Sequence, residues 1–143
     1  MILKEQVLQW NTILYCEHWK ETIHFYRDIL ELPINHESDW FVEFKLTSDS
    51  YLSIAQAKRA TILSAKGNGI TLSFRVKGID LVHDAFSDLG LELSNICNVW
   101  GARAFFLYDP EGHRIELWSQ VTTGEAGSAI ASSFTRSQTQ EEG

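Results

Sequence analysis

Residues 105–118 read FFLYDPEGHRIELW, in which two apolar, alternating runs are joined by Asp-Pro-Glu-Gly. Proline presets one backbone angle of a tight turn and glycine tolerates a positive φ, so the joining residues predict a turn. The flanking runs are typical of two strands that each bury one face. Glu116 lies between Ile115 and Leu117 and therefore points to the opposite face of its strand from them. This carboxylate is a candidate ligand or base, although the same pattern also describes a solvated glutamate on an exposed strand face.

The first half of the chain repeats this plan. Residues 41–55 read FVEFKLTSDSYLSIA, which is again a strand, a polar turn and a strand, and superposing the two stretches places Ser53 on Glu116. Each stretch follows a short apolar strand and an amphipathic helix, and we expect the helices at about 17–31 and 78–89. Self-similarity over roughly fifty residues indicates a duplicated unit.

The repeat predicts an α+β protein of two tandem βαβββ modules, at about 7–57 and 68–120, with a linker at 58–67. Residues 1–121 then form one domain. The last stretch, 122–143, is rich in Ser, Thr, Gly, Gln and Glu and is expected to be a flexible polar tail.

Two motifs carry a resemblance to a known family: HFYRDIL at residues 24–30 and DPEGHRIEL at 109–117. With a Trp-Gly pair before the last hairpin, they resemble the vicinal oxygen chelate superfamily of glyoxalases, bleomycin-resistance proteins, fosfomycin-resistance transferases and extradiol dioxygenases. The resemblance covers about residues 7–120 and implies that the modules form a curved mixed sheet cup, the glyoxalase/bleomycin-resistance-like fold. It also implies a homodimer, since the resembling families pair modules across a two-fold axis. One departure is Glu31, where the family's helix usually ends in glycine.

The resemblance implies a metal site with one ligand from the first strand and one from the last strand of each module. Those positions fall on Asn11, Ser53, Gly69 (within an error of one residue) and Glu116. Only Glu116 is a normal ligand for a first-row divalent ion, because neutral Asn and Ser oxygens neither donate strongly nor balance the charge. No His-x-His, His-Glu-x-x-His or Cys pair offers a replacement. We therefore expect no metal ligand set and no cofactor, with a divalent metal as the disfavoured alternative.

Aromatic residues supply the remaining functional signal, since the chain has five tryptophans. If the sheets form a cup, several of them could offer flat walls for a ring-bearing ligand, although core or dimer-interface packing is the alternative for each one. His113, in the predicted turn, is expected to be solvated. Glu116 is the best catalytic candidate, and the predicted ligand-binding set is Asn11, Trp40, Ser53, Trp100, Tyr108, Glu116 and Trp118.

Composition limits the function classes. Hydrophobic residues make up 44% of the 143 residues, which is ordinary for a globular protein, and no apolar run is long enough to span a membrane. The net charge of −7 disfavours nucleic-acid binding, which needs a basic face. The N-terminus lacks a signal-peptide pattern, and Cys16 and Cys97 are too few for a disulfide framework. A cytoplasmic protein is the resulting expectation.

Three hypotheses follow for the function. The first is a metal-free binding protein that sequesters an aromatic or antibiotic-like small molecule in the cup. The second is a superfamily enzyme (a lyase, isomerase, dioxygenase or thiol transferase) with an atypical metal site, and the third is an interaction module that uses only the dimer surface. The missing ligands argue against the second and the tryptophans against the third, so the sequence favours the first and leaves catalysis undecided.

Overall fold

The computed structural model describes residues 3–99 and 101–121, so the candidate Trp100 and the predicted tail at 122–143 lie outside the described residues. Contacts divide the chain into two compact units. Among the described residues, unit 1 contains residues 3–69 and the turn Asp109–His113, and unit 2 contains residues 70–99, 101–108 and 114–121. Each unit holds one βαβββ module, which confirms the α+β class and the tandem modules predicted from the repeat.

Unit 1 contains a mixed four-stranded sheet and one helix. Its elements are β1 (Trp10–Cys16), α1 (Trp19–His24), a π-helical turn (Phe25–Ile29), β2 (Ile34–Glu37), β3 (Phe41–Thr47) and β4 (Ser50–Gln56), with short 3-10 turns at Leu3–Glu5 and Ala57–Arg59. The strand order is β1-β4-β3-β2, in which only the pair β1–β4 is parallel. A parallel pair needs a crossover connection, and the helical segment supplies it.

Unit 2 repeats this topology. Its elements are β5 (Thr71–Arg75), α2 (Ile79–Asp88), β6 (Cys97–Val99), β7 (Ala102–Tyr108) and β8 (Arg114–Gln120). The strand order is β5-β8-β7-β6, again with one parallel pair, β5–β8. The two strands predicted around the Asp-Pro-Glu-Gly turn are therefore β7 and β8.

The core of unit 1 follows from alternation along its strands. Alternate residues in the central parts of three neighbouring strands are apolar and buried, and α1 and its π-helical extension add Ile23, Phe25 and Tyr26. The rings of Tyr26 and Phe44 lie 6.2 Å apart between centroids, which shows that the helical segment packs on this face. The buried strand residues of that face are Leu14, Cys16, Val42, Phe44, Leu52 and Ile54.

The first helical segment differs from a regular α-helix over 17–31. The α-helix ends at His24, and the next turn is π-helical, with the Leu30 amide donating to the Phe25 carbonyl at 2.9 Å. Glu31 then adopts a φ of 58°, the left-handed region in which glycine is favoured. The position at which the sequence departs from the family's usual glycine thus carries backbone strain.

Asp109 organises the turn of unit 1. Its Oδ1 accepts hydrogen bonds from the amides of Glu111, Gly112 and His113 at 3.0, 3.0 and 2.9 Å. Its Oδ2 accepts from the Tyr26 hydroxyl at 2.7 Å and lies 2.8 Å from His113 Nδ1. His113 is only 5% exposed, so the expectation that it is solvated is wrong. Its ring is held by the same carboxylate that shapes the turn.

Glu111, also in this turn, ties the start of the helical segment to the linker. Its carboxylate accepts from the backbone amides of Glu17 at 2.8 Å and His18 at 2.7 Å, and from the Ser64 hydroxyl. Burial alone would raise the pKa of Glu111, but these hydrogen bonds together lower it below its ordinary value of 4.5. No local sequence pattern indicates this role of Glu111.

Candidate functional site

The sheet of unit 2 has two chemically different faces. The Phe105 ring points to α2, where its centroid lies 4.7 Å from that of His83 and 6.0 Å from that of Phe86. Ile115 and Leu117 share this apolar face. The opposite face is called here the outer face. By strand register it carries Thr71, Ser73 and Arg75 on β5, Ala102, Ala104, Phe106 and Tyr108 on β7, and Arg114, Glu116, Trp118 and Gln120 on β8.

Glu116 is the central polar group of the outer face, as its position between Ile115 and Leu117 predicts. The side chain is 0% exposed. Its Oε1 accepts a hydrogen bond from the Ser73 hydroxyl, while its Oε2 has no hydrogen-bond partner in the described part of the chain. Burial raises the pKa of Glu116, and the Ser73 hydrogen bond and the Arg114 charge offset only part of this effect. An unsatisfied buried carboxylate oxygen is energetically costly and suggests a functional atom.

Two arginines flank Glu116 on the outer face. Arg114 donates from Nε and Nη2 to the Thr71 hydroxyl at 3.0 and 2.8 Å, and its Cζ lies 4.9 Å from the centre of the Phe106 ring. The Arg75 Cζ lies 5.5 Å from the centre of the Trp118 ring. Both geometries fall within the range of a cation–π contact. The outer face therefore combines two guanidinium groups, two aromatic rings and one buried carboxyl group.

Trp118 lies on the same face as Glu116, as strand parity predicts. Its indole is half-buried and packs against the buried pair Ala102 and Ala104. Small alanines on β7 leave room for the large ring, and Arg75 approaches the ring as well. Only part of the indole surface is therefore available to a ligand, which is less than the flat wall that the sequence suggested.

The sheet of unit 1 carries a second polar cluster, on the face opposite its core. Asn11 accepts a hydrogen bond from the buried Ser53 hydroxyl at 2.8 Å and donates to Glu43 at 3.3 Å. Glu43 also accepts from Asn35 at 2.7 Å. The sequence predicted Asn11 and Ser53 but missed Glu43 and Asn35. Glu43 is the cross-strand neighbour of Ser53 in the β3–β4 hairpin, so the hairpin register could have identified it.

The remaining candidate residues are Trp40, Tyr108 and Gly69. Trp40 precedes β3 and its ring lies 5.5 Å from the ring of Phe41, next along the chain. Tyr108 ends β7 and is 63% exposed. Gly69, suggested as the first-strand position of module two, lies in a turn before β5, and the residue of β5 that contacts Glu116 is Ser73.

The donor atoms do not fit the divalent metal that the resemblance implies. Within residues 3–99 and 101–121, no group of three His, Cys, Asp or Glu side chains could hold an ion. In unit 2, Glu116 is joined by the neutral hydroxyl of Ser73, and in unit 1 Glu43 is joined by two carboxamides. Mn, Fe, Co, Ni and Zn sites are built from imidazole, thiolate or several carboxylate ligands, and neither cluster supplies such a set.

Comparisons with known proteins place this geometry in a family. Residues 10–122 match the family model for the glyoxalase-like domain. A glyoxalase/bleomycin resistance protein/dioxygenase from Nocardioides is 16% identical, with a TM-score of 0.71 over 89% of this chain and 91% of that one. A lactoylglutathione lyase from Agrobacterium tumefaciens is 19% identical, with a TM-score of 0.66 over 81% and 96%.

A third structure has a higher sequence identity to this chain. It is a protein of unknown function from Agrobacterium tumefaciens strain C58, 26% identical, with a TM-score of 0.63 over 78% of this chain and 92% of that one. The comparison with curated proteins finds no match. The first two structures, at their low identities, show a shared fold and do not specify a reaction for this chain.

Proposed function

The chain belongs to the glyoxalase-like domain family, and from that premise we propose that it is a metal-free binding protein for a small, ring-bearing organic molecule. The observation that carries the proposal is the Oε2 atom of Glu116, which is buried and lacks a hydrogen-bond partner among residues 3–99 and 101–121. A ligand that donates an N–H or O–H group to this atom would satisfy it. Phe106, Trp118 and Tyr108 on the same face supply aromatic surface for the body of the ligand.

The donor set supports binding without a metal. Glu116 has one hydroxyl neighbour, so an ion bound there would take most of its coordination shell from water. We therefore expect no tightly bound Mn, Fe, Co, Ni or Zn.

The test is a thermal-shift screen of small aromatic molecules with and without hydrogen-bond donors. A ligand that binds the folded state raises the melting temperature by mass action, so no assay for turnover is needed. Glu116→Gln is expected to weaken the affinity for ligands with hydrogen-bond donors by about ten-fold or more. The matched control is Glu92→Gln, at an exposed position outside the outer face, which should bind like the wild type.

Elemental analysis of the purified protein completes this experiment. Stoichiometric metal in the wild type that is lost in Glu116→Gln would contradict the metal-free proposal. A screen in which no aromatic compound raises the melting temperature would contradict the binding proposal itself. Compounds that bind Glu116→Gln as tightly as the wild type would show that the ligand site lies elsewhere.

An enzyme of the same superfamily, such as a lyase or dioxygenase, is the second candidate function, and the raised pKa of Glu116 favours it. A carboxyl group with a raised pKa is a better proton acceptor near neutral pH than an ordinary glutamate. The two functions differ in the fate of the ligand. If mass spectrometry shows that a hit is converted by the wild type and recovered unchanged from Glu116→Gln, the protein is an enzyme.

Assembly, domain extent and location form the rest of the proposal. We propose a homodimer in the cytoplasm that binds no nucleic acid, with residues 1–121 as the domain. Sedimentation that shows a monomer at tens of micromolar would contradict the dimer. None of the helices in the described ranges is long and apolar enough to cross a membrane.

A further inference from the structure

A cavity of about 820 Å³ lies in unit 2, and Glu116 is not one of its lining residues. It opens where β5 and β8 end and α2 begins. Its volume is within the range of roughly 300–1,000 Å³ that is typical of small-molecule sites. The charged and polar side chains in its lining are Arg75, Lys77, Asp80, Arg103, Ser119 and Gln120.

The lining of this cavity carries a positive charge in an acidic chain. Three cationic side chains face one carboxylate, whereas the whole chain has a net charge of −7. Asp80 is already occupied, because Arg103 donates to both of its carboxylate oxygens, at 2.6 and 3.0 Å. Within residues 3–99 and 101–121, Lys77 and Arg75 form no ion pair with a carboxylate. Two positive charges of the lining are therefore not compensated by that part of the chain.

The cavity also has apolar surface. Val76 and Val121 are half-buried and Ile79 is buried, and all three belong to the lining. Apolar walls with a few convergent charges are typical of sites for organic ligands, whereas a simple inorganic ion needs no apolar wall. Concentrated positive charge in a concave surface attracts anions even when the net charge of the protein is negative.

We propose that this cavity binds a small organic anion. Lys77 and Arg75 would attract its carboxylate or other anionic group, and the apolar side chains would contact its carbon skeleton. The site is separate from Glu116 and does not depend on the function proposed above. Because Arg75 also lies over the Trp118 ring of the outer face, it connects the two sites on one sheet.

The experiment compares four probes that differ in charge: benzoate, benzamide, benzylamine and inorganic phosphate. Amide chemical shifts in ¹⁵N-labelled protein report the place of binding, at Gly78 and Ser119 for this cavity. Benzoate is expected to shift these amides, benzamide to shift them less and benzylamine not at all. Lys77→Gln should weaken the affinity for benzoate roughly two- to five-fold, and added salt should weaken it further.

Two control variants separate this proposal from alternatives. Lys45→Gln removes an exposed lysine of unit 1 and should leave benzoate affinity unchanged, which excludes an effect of overall charge. Glu116→Gln should also leave it unchanged. If Glu116→Gln abolishes benzoate binding, the anion binds at the outer face and the cavity proposal is wrong.

Other outcomes would also overturn the proposal. An equal response to benzylamine would show that charge does not select the ligand. Phosphate binding in preference to benzoate would contradict an organic anion. The absence of shifts at Gly78 and Ser119 with every probe would contradict a site in this cavity, whatever the thermal-shift screen at Glu116 shows.

Discussion

Adding one methyl group at Gly67 tests how the linker packs against the turn of unit 1. A Cβ atom built there would lie 2.1 Å from the carbonyl carbon and oxygen of Gly112 and 2.6 Å from the amide nitrogen of His113. Gly69, two residues later, has almost the same backbone angle, with φ of +82° against +83°, but a Cβ there meets nothing within 4 Å. Gly67→Ala and Gly69→Ala therefore share the backbone strain and differ in the steric clash.

The magnitude follows from these two contributions. A non-glycine residue in the left-handed region costs roughly 1–2 kcal/mol, so Gly69→Ala should destabilise the protein by about 1 kcal/mol. At Gly67 the new carbon overlaps backbone atoms, which cannot rotate away as a side chain can. Normal carbon contacts are about 3.5–4.0 Å, so the linker and turn must separate by more than an ångström. Overpacking of this kind adds about 1–3 kcal/mol, which together with the backbone strain gives a total of about 2–5 kcal/mol for Gly67→Ala.

Urea unfolding of the wild type and both variants, followed by tryptophan fluorescence, measures these differences. The m-values must agree among the three proteins for the free energies of unfolding to be compared. Equal losses for Gly67→Ala and Gly69→Ala would refute the reasoning, because they would show that the close approach of Gly67 to Gly112 contributes nothing beyond the backbone strain.

Three further predictions concern glutamates. Glu31→Gly should raise the free energy of unfolding by up to about 1 kcal/mol, because glycine adopts the positive φ without strain, whereas Glu31→Ala should not raise it. Urea unfolding measures both changes, and an unchanged stability of the glycine variant would contradict the strain at Glu31. Glu111→Gln should cost about 1–3 kcal/mol in urea unfolding. Because the folded-state pKa of Glu111 is lowered, its contribution is present above pH 4.5 and is lost as pH falls through that pKa, so the difference from the variant should shrink in acid. For Glu116 the pH dependence of stability has the opposite sign. Because its folded-state pKa is raised, its stabilising contribution is present below pH 4.5 and is lost as pH rises through the folded-state pKa. The stability of wild type relative to Glu116→Gln should therefore fall between acid and neutral pH, and a flat difference would contradict the burial of this carboxyl group.

Local patterns predicted the parts of the fold that depend on local chemistry. The alternation around Glu116 predicted its face correctly, because successive side chains of a strand point in opposite directions whatever the strand packs against. The repeat predicted two modules for a similar reason. Local patterns did not predict the roles of Glu111 and His113. Glu111 binds the amide of Glu17, which is 94 positions away in the sequence, and nothing near either residue indicates that contact.

The polar cluster of unit 1 was predicted only in part. Superposing the repeats strand by strand assigns Ser53 to the position of Glu116 and so suggests that the first module lacks a carboxylate. In the structure the carboxylate is Glu43, on the neighbouring strand and directly opposite Ser53. A comparison along one strand cannot detect an acidic group that lies across the hairpin. The predicted hairpin contained the information, because its register pairs the two residues.

The motif DPEGHRIEL contains two glutamates with different roles. Glu111 stabilises the fold, whereas Glu116 is the candidate functional residue. Glu111 is satisfied by hydrogen bonds within unit 1 and has a lowered pKa, so its charge stabilises the folded chain. Glu116 is buried with an unsatisfied oxygen and a raised pKa, so its burial makes the fold less stable near neutral pH. A residue that stabilises the fold explains why the motif marks the glyoxalase-like structure. Only the residue whose burial opposes folding needs a second explanation, and the ligand contact that we propose for Glu116 would supply it.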